Sequence, residues 1–307
     1  MKTEEEMKEI LENKKIEEKT KSQLDGVFIR VHKISELNIS ELLTYPFNGV
    51  SYYNLFTYRE ELDLREYFGT GQPESPDSYK ILPKNDKGDK ERLEKKIAEK
   101  LDSLQNGKKL FFIESNSAHH VSYFLAKNYL TDGADTSITI NFDQHSDTGS
   151  NTSKDFFCST WGGDRLKEDN VSQYLVVCAQ NRSNYAVSSK NDFLTKLKNY
   201  SKIYVTVDMD VLTKGYKDPN IKRTNWGHGN LTIDQLKELL NALPDNKIVA
   251  ADITGFPPYV PESNEKKFKR GITLKNDVSG TNSEDQLNAF AKDIETVADI
   301  LSKKIIL

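Results

Sequence analysis

From residue 89 to the C-terminus, short runs that are apolar on both faces alternate with longer stretches repeating at helical spacing. The apolar runs are KKLFFIES (108–115), TSITINF (136–142), YLVVCA (174–179), KIYVTVDMDVL (202–212) and NKIVAADI (246–253), with an earlier one, GVFIRV, at 26–31. Between them, KERLEKKIAEKLDSL repeats Leu93, Ile97, Leu101 and Leu104, and AHHVSYFLAKNYL and NDFLTKLKNY are shorter helix candidates. The segment LTIDQLKELLNAL opens on Thr232 with Gln235 at the spacing of a capping box. SEDQLNAFAKDIETVADIL repeats Leu287, Phe290, Ile294, Val297 and Leu301. A strand apolar on both faces has to be covered on both, and helices alternating with such strands make parallel crossovers. The expectation is an α/β fold: three layers, α/β/α, around a mostly parallel central sheet.

Residues 67–90 are rich in Gly, Pro, Asp and Lys and read as an irregular loop within one domain spanning 25–307. Residues 1–24 carry a charged helical extension with Met7, Ile10, Leu11 and Ile16 as its few apolar residues, and no signal-peptide core. The net charge of -4 and pI near 5.9 argue against a protein that lives on contacts with duplex phosphates. No run of eighteen apolar residues offers a membrane span. Cys158 and Cys178 make no disulfide framework and read as buried thiols of a cytoplasmic protein.

The chemistry gathers where ligand sites of parallel sheets lie, at the carboxyl ends of strands. ITINFDQHSDTGSN (138–151) places Asp143, His145 and Asp147 on alternate positions, which in a strand share one face. Asp208 and Asp210 repeat that spacing after IYVTV, and His119 follows LFFIE by a short turn, with His120 beside it. Carboxylates in a row are costly to bury without a counter-charge, and a divalent cation is one. Four carboxylates and two imidazoles with no thiolate form a hard donor set that suits Mn²⁺, or Fe²⁺, Co²⁺ or Ni²⁺, better than structural zinc. Six donors exceed what one tetrahedral ion needs, so two ions per chain are expected, lowering the pKa of a water shared between them.

Asp143-x-His145-x-Asp147, then Asp208-x-Asp210, with the upstream histidine of NSAHHVSY, resembles the arginase and agmatinase (ureohydrolase) superfamily over roughly residues 90–300. RTNWGHGNLTIDQLKELL resembles the family's glycine-rich turn into a helix, and VAADITGFPPY its late strand. The resemblance implies that His119, Asp143, Asp147 and Asp208 hold one manganese and that Asp143, His145, Asp208 and Asp210 hold the other. Asp143 and Asp208 would then bridge the ions. It further implies hydrolysis of a guanidino group to urea, with Asp147 passing a proton to the leaving amine, and a homo-oligomer.

The chain departs from the family pattern at several points. The family's guanidinium-binding glutamate falls on Gly255, so Glu114, Glu262 or another loop acid would have to replace it. The family's proton-moving histidine belongs to the neighbourhood FFCSTWGG (156–163), which has none, so His228 or His120 would take that role. Trp161, Trp226 and Tyr259 are candidates to line a pocket mouth and stack on a cation, or to pack in the core. Residues that would grip a free amino acid's α-groups are not recognisable around TGSNTSKD (148–155). Arginine within a peptide, giving ornithine and urea, is the preferred substrate, ahead of an acylated or formimino amine. A third alternative is a metal-binding pseudoenzyme or regulatory protein.

Overall fold

Phe112 packs on one side of the sheet, while its neighbours Phe111 and Ile113 pack on the other. The same alternation runs through Ile203, Val205 and Val207 against Tyr204, and through Ala251 and Ile253 against Ala250. Period-two side chains thus feed two separate cores, as a sheet covered on both faces requires. The computed structural model describes residues 27–30, 60–63, 87–104, 109–113, 119–130, 136–149, 159–167, 173–177, 190–213, 229–255 and 284–305. The proposed extension at 1–24 lies outside them, as do His228, Glu114, Cys158, Cys178, Trp226, Tyr259 and Glu262.

The described strands are β1 (Val27–Arg30), β2 (Glu60–Asp63), β3 (Leu110–Ile113), β4 (Ser137–Phe142), β5 (Gln173–Val177), β6 (Lys202–Asp208) and β7 (Ile248–Thr254). They form one seven-stranded sheet in the order β2-β1-β3-β7-β6-β4-β5, and every pair is parallel. Helices α1 (Lys87–Asp102), α2 (Val121–Tyr129) and α3 (Trp161–Lys167) cover one face through Ile97, Leu101, Phe124, Leu125 and Trp161. Helices α4 (Lys190–Leu197), α5 (Ile233–Ala242) and α6 (Glu284–Lys304) cover the other through Phe193, Leu197, Leu236, Leu240, Ile294 and Val297. Each such apolar side chain removed from water contributes about 1.5–3 kcal/mol. The three-layer α/β/α reading is what the structure shows.

The capping box predicted for α5 is present. Thr232 Oγ1 accepts from the Gln235 N–H at 3.2 Å, and the Gln235 side chain accepts from the Thr232 N–H at 2.8 Å. Two elements escaped the sequence. Strand β2, EELD, is almost wholly charged and stands at the sheet edge, where charge is tolerated and guards against further pairing. Helix α3 begins WGG, two glycines that read as a loop. A Cβ on Gly163 would meet Thr148 O at 2.7 Å, so glycine lets this helix lie directly on the chain that follows Asp147.

On the face covered by α1–α3, the inward positions turn polar toward the carboxyl ends of the strands. Thr139 and Asn141 on β4, Thr206 and Asp208 on β6, and Asp252 and Thr254 on β7 are all buried there. The opposite face stays apolar through Ile140, Phe142, Val205, Val207 and Ile253. The polar layer leads straight to the acid and histidine constellation.

Candidate metal centre

The i, i+2 spacing of the two acidic motifs comes from turns rather than from an extended strand. Strand β4 ends at Phe142, and Asp143 Oδ1 accepts from the His145 backbone N–H at 2.7 Å. In the same way Asp208 Oδ1 accepts from the Asp210 N–H at 3.0 Å, opening a 3₁₀ turn over Met209–Val211. An aspartate that caps the amide two residues on makes a tight turn and brings both side chains to one point. The side chains expected to share one strand face are thus brought together by turns instead. Asp147 lies outside any such period, with φ of +50°, a left-handed conformation that aspartate tolerates better than most residues.

Five of the six side chains are buried: His119, Asp143, Asp147, Asp208 and Asp210. The sixth, His145, has 40% of its side chain exposed, so among the described residues the cluster meets solvent on its side. Two groups of donor atoms lie close enough to hold an ion, His119 with Asp143 and Asp208, and Asp143 with His145 and Asp210. Asp143 belongs to both. Its Oδ2 is 3.3 Å from His119 Nδ1 and its Oδ1 is 3.4 Å from His145 Nδ1, the placement of a bridging carboxylate. Asp208 offers Oδ2 to the first group, 3.6 Å from His119 Nδ1, while its Oδ1 is engaged by the Asp210 amide. Asp147 Oδ2 reaches His119 Nδ1 at 3.0 Å.

The electrostatics call for cations. Burial pushes the Asp147 carboxyl up to about 7 and the Asp210 carboxyl up to about 6, with the charge of Asp143 adding to both. Asp208 is raised well above the usual range by burial and by Asp210 and Asp143. Burial also works against charge on Asp143, but His119 and His145 overcome it and hold that carboxyl well below its usual value. The histidines respond in kind. Burial disfavours their cations, yet Asp143 and Asp210 lift His145 to about 11, and Asp143 and Asp147 raise His119. Without a metal, then, protons must stand in as counter-charge. With neutral imidazoles the four carboxylates carry four negative charges, which two divalent cations would cancel.

One orphaned atom fits the same reading. Asp210 Oδ2 is buried and has no hydrogen-bond partner, although His145 Nδ1 stands 3.0 Å away. Two donor atoms that close without hydrogen-bond alignment are what a shared cation leaves behind. The residues present therefore fit a pair of hard divalent ions.

Trp161 is placed differently from the expectation that it binds substrate at a pocket mouth. It has no exposed surface, its Nε1–H donates to Asp147 Oδ2 at 2.7 Å, and its ring centroid lies 5.1 Å from that of His119. Tyr174 meets it edge-on at 5.4 Å, accepts from Asn141 Nδ2 at 2.8 Å and donates to Ser146 O at 3.0 Å. Asn141 Nδ2 also donates to Asp143 Oδ2 at 3.0 Å. Trp161, Tyr174 and Asn141 thus back the cluster from behind. His120, the alternative to His119, is buried at the start of α2 and belongs to neither group.

Gly255 has φ of +85°, and a Cβ there would run into Asp208 Oδ1 and come within 2.9 Å of the Met209 amide. No side chain fits at the position to which the resemblance assigns a substrate-binding glutamate. The Gly229 N–H donates to Asp210 O at 2.5 Å, and Leu231 pairs with Leu212, which lays residues 229–231 against the second acidic turn.

Comparison with solved structures places this architecture. An arginase from Bacillus caldovelox superposes with a TM-score of 0.54 at 10% identity, over 92% of this chain and 99% of its own. An arginase from Bacillus cereus gives 0.52 at 11%, over 92% and 99%. A hypothetical agmatinase from Burkholderia thailandensis gives 0.50 at 14%, over 91% and 85%. This chain has the arginase fold. At such identities the likeness speaks for the fold alone. No protein-family model matches the sequence. An uncharacterized protein of Thermotoga maritima is 27% identical over 171 residues, which are 54% of this chain. The match spans 65% of that relative, less than two thirds of its length. Among the described residues, no helix of this arginase-fold chain is long and apolar enough to cross a membrane.

Proposed function

We propose that this chain is a binuclear metal hydrolase of the ureohydrolase type, using two Mn²⁺ to cleave a guanidino group and release urea. The observation that carries the reading is the pair of donor groups sharing Asp143 at the carboxyl ends of β4 and β6. His119, Asp143 and Asp208, with Asp147 alongside, would hold one ion, and Asp143, His145 and Asp210 the other. The ions would supply an acidified water and Lewis acidity toward the substrate carbon. Asp143 sets the spacing between the two positions. Trp161 holds one oxygen of Asp147 in place, which supports assigning to Asp147 the proton passed to the leaving amine. In place of the family residues this chain lacks, His228 or His120 would take the proton transfer, and Glu114, Glu262 or another loop acid the substrate binding. The catalytic domain runs over 25–307 and works in the cytoplasm as a homo-oligomer.

Arginine within a peptide is the preferred substrate. A second reading, an acylated or formimino amine, gains support from Gly255, where any side chain would strike Asp208 and no carboxylate can meet a guanidinium. The deciding experiment reconstitutes the protein with Mn²⁺, measures metal content, and offers free arginine, agmatine and arginine-containing peptides. Two manganese per chain with urea from the peptide alone is the expected result. Two manganese with no urea from any guanidine favours the second reading, and no bound metal overturns both.

A further inference from the structure

His119 is anchored from behind by a chain of buried groups that the metal-centre reading does not by itself require. Its Nε2 lies 2.8 Å from Thr206 Oγ1, and Thr206 Oγ1 donates to Asp252 Oδ1 at 2.7 Å. Tyr204 OH donates to the other carboxylate oxygen, Asp252 Oδ2, at 2.5 Å, and Ser122 Oγ stands 3.4 Å from Thr206 Oγ1. Thr206, Asp252, Tyr204 and Ser122 have no exposed surface, so no water substitutes for any of them. A hydroxyl has one hydrogen to give and lone pairs to accept with. Thr206 gives its hydrogen to Asp252, whose two oxygens are thereby each engaged by a donor. Toward His119 the same hydroxyl can then only accept, which places the imidazole hydrogen on Nε2. The Nδ1 lone pair is left facing Asp143, Asp147 and Asp208. The His145 ring, by contrast, is partly open to solvent among the described residues.

Resting on the metal-centre reading, we propose that Thr206 and Asp252 are positioning residues that lock His119 in its Nε2–H tautomer, with Nδ1 turned to the ion it would hold with Asp143 and Asp208. The partner on the far nitrogen of a metal-binding histidine fixes the ring's tautomer and orientation, and its loss commonly lowers metal affinity on the order of 10–100-fold. Valine matches threonine in shape, so Thr206→Val removes the acceptor and leaves the packing.

The test is Mn²⁺ titration of the chelator-treated full chain, as wild type, Thr206→Val and Thr206→Ser, followed by calorimetry. Wild type should take up two ions. Thr206→Val should weaken one site on the order of 10–100-fold and spare the other, and Thr206→Ser should restore the affected site. Two manganese in wild type with an unchanged Thr206→Val, or with Thr206→Ser as damaged as Thr206→Val, overturns this inference alone. No uptake by wild type overturns the metal centre and the inference with it. A measurement on wild type needs no variant: with diamagnetic Cd²⁺ bound, nitrogen shifts of His119 should read Nε2 as protonated and Nδ1 as coordinated. The reverse assignment refutes the relay.

Discussion

Replacing Asp210 by asparagine should make the metal-free protein more stable and the metal-loaded protein less so. Asp210 Oδ1 accepts from the Gln144 N–H at 3.0 Å, a bond that asparagine keeps. Its Oδ2, which has no aligned hydrogen-bond partner, would become an uncharged amide nitrogen 3.0 Å from His145 Nδ1. The substitution also removes one negative charge from beside Asp208 and Asp143. Burial and Asp143 raise the Asp210 carboxyl to about 6, and that position already includes the attraction of His145. A carboxyl whose folded pKa is raised binds more protons folded than unfolded, so its stabilising contribution is complete below about pH 4 and fades as pH rises through about 6. Moving a carboxyl from about 4 to about 6 corresponds to about 3 kcal/mol lost by about pH 8. An asparagine side chain does not titrate, so the variant avoids that loss. Urea denaturation of chelator-treated wild type and Asp210→Asn at about pH 5 and about pH 8 reads it directly. The variant should lead on the order of 1–3 kcal/mol at the higher pH, and the gap should narrow at the lower. With Mn²⁺ the order should invert, because a ligand at about 1,000 times its Kd stabilises by about 4 kcal/mol and the variant lacks one ion's carboxylate. A variant less stable than wild type at both pH values without metal would refute the argument that the cluster is strained by its own charge.

The other expectations concern single contacts. Trp161→Phe leaves Asp147 Oδ2 without its donor inside a buried cluster, and should cost about 1–3 kcal/mol in a denaturation curve. Because the Trp161 ring packs on His119, tryptophan emission should be quenched on Mn²⁺ binding in wild type and far less so in Trp161→Phe; equal quenching in both would remove the indole from the site. Gly255→Glu, which writes the family residue back into the chain, should lower metal content rather than confer urea release, since its Cβ meets Asp208. A variant that gains arginine hydrolysis would disprove the steric reading. Thr232→Ala removes the α5 cap and no cluster ligand, and should cost about 1 kcal/mol of stability while leaving Mn²⁺ stoichiometry unchanged.

The layers were legible because the central strands are short apolar-rich runs separated by longer stretches, and because α1, α5 and α6 bury residues at helical spacing. The metal candidates were legible for a simpler reason. Charged side chains that immediately follow such runs have nowhere to go except the carboxyl edge of the sheet. What pattern reading could not supply was anything decided by contact across the fold. Helix α3 is built on glycines chosen for close approach, so its composition argues against a helix until Thr148 and Tyr174 are seen beside it. Trp161 meets Asp147 and His119 through three different parts of the chain, and spacing alone left it between pocket mouth and core.

Asp252 is the instructive case. A carboxylate near the end of NKIVAADI is unsolvated as soon as that run is accepted as a central strand, and burial duly pushes its carboxyl upward. Such a residue needs hydroxyl or amide donors on neighbouring strands at the same level, and β6 supplies Tyr204 and Thr206 on that face. The register of β6 with β7, which pairs Thr206 with Asp252, is therefore fixed by polar chemistry as well as by the apolar pattern. That pairing ties the sheet to the cluster. A one-residue slip of β6 would turn Thr206 into the apolar core and leave His119 Nε2 and Asp252 facing a hydrocarbon side chain. The same two hydrogen bonds that set the strand register also determine which histidine nitrogen faces the carboxylates.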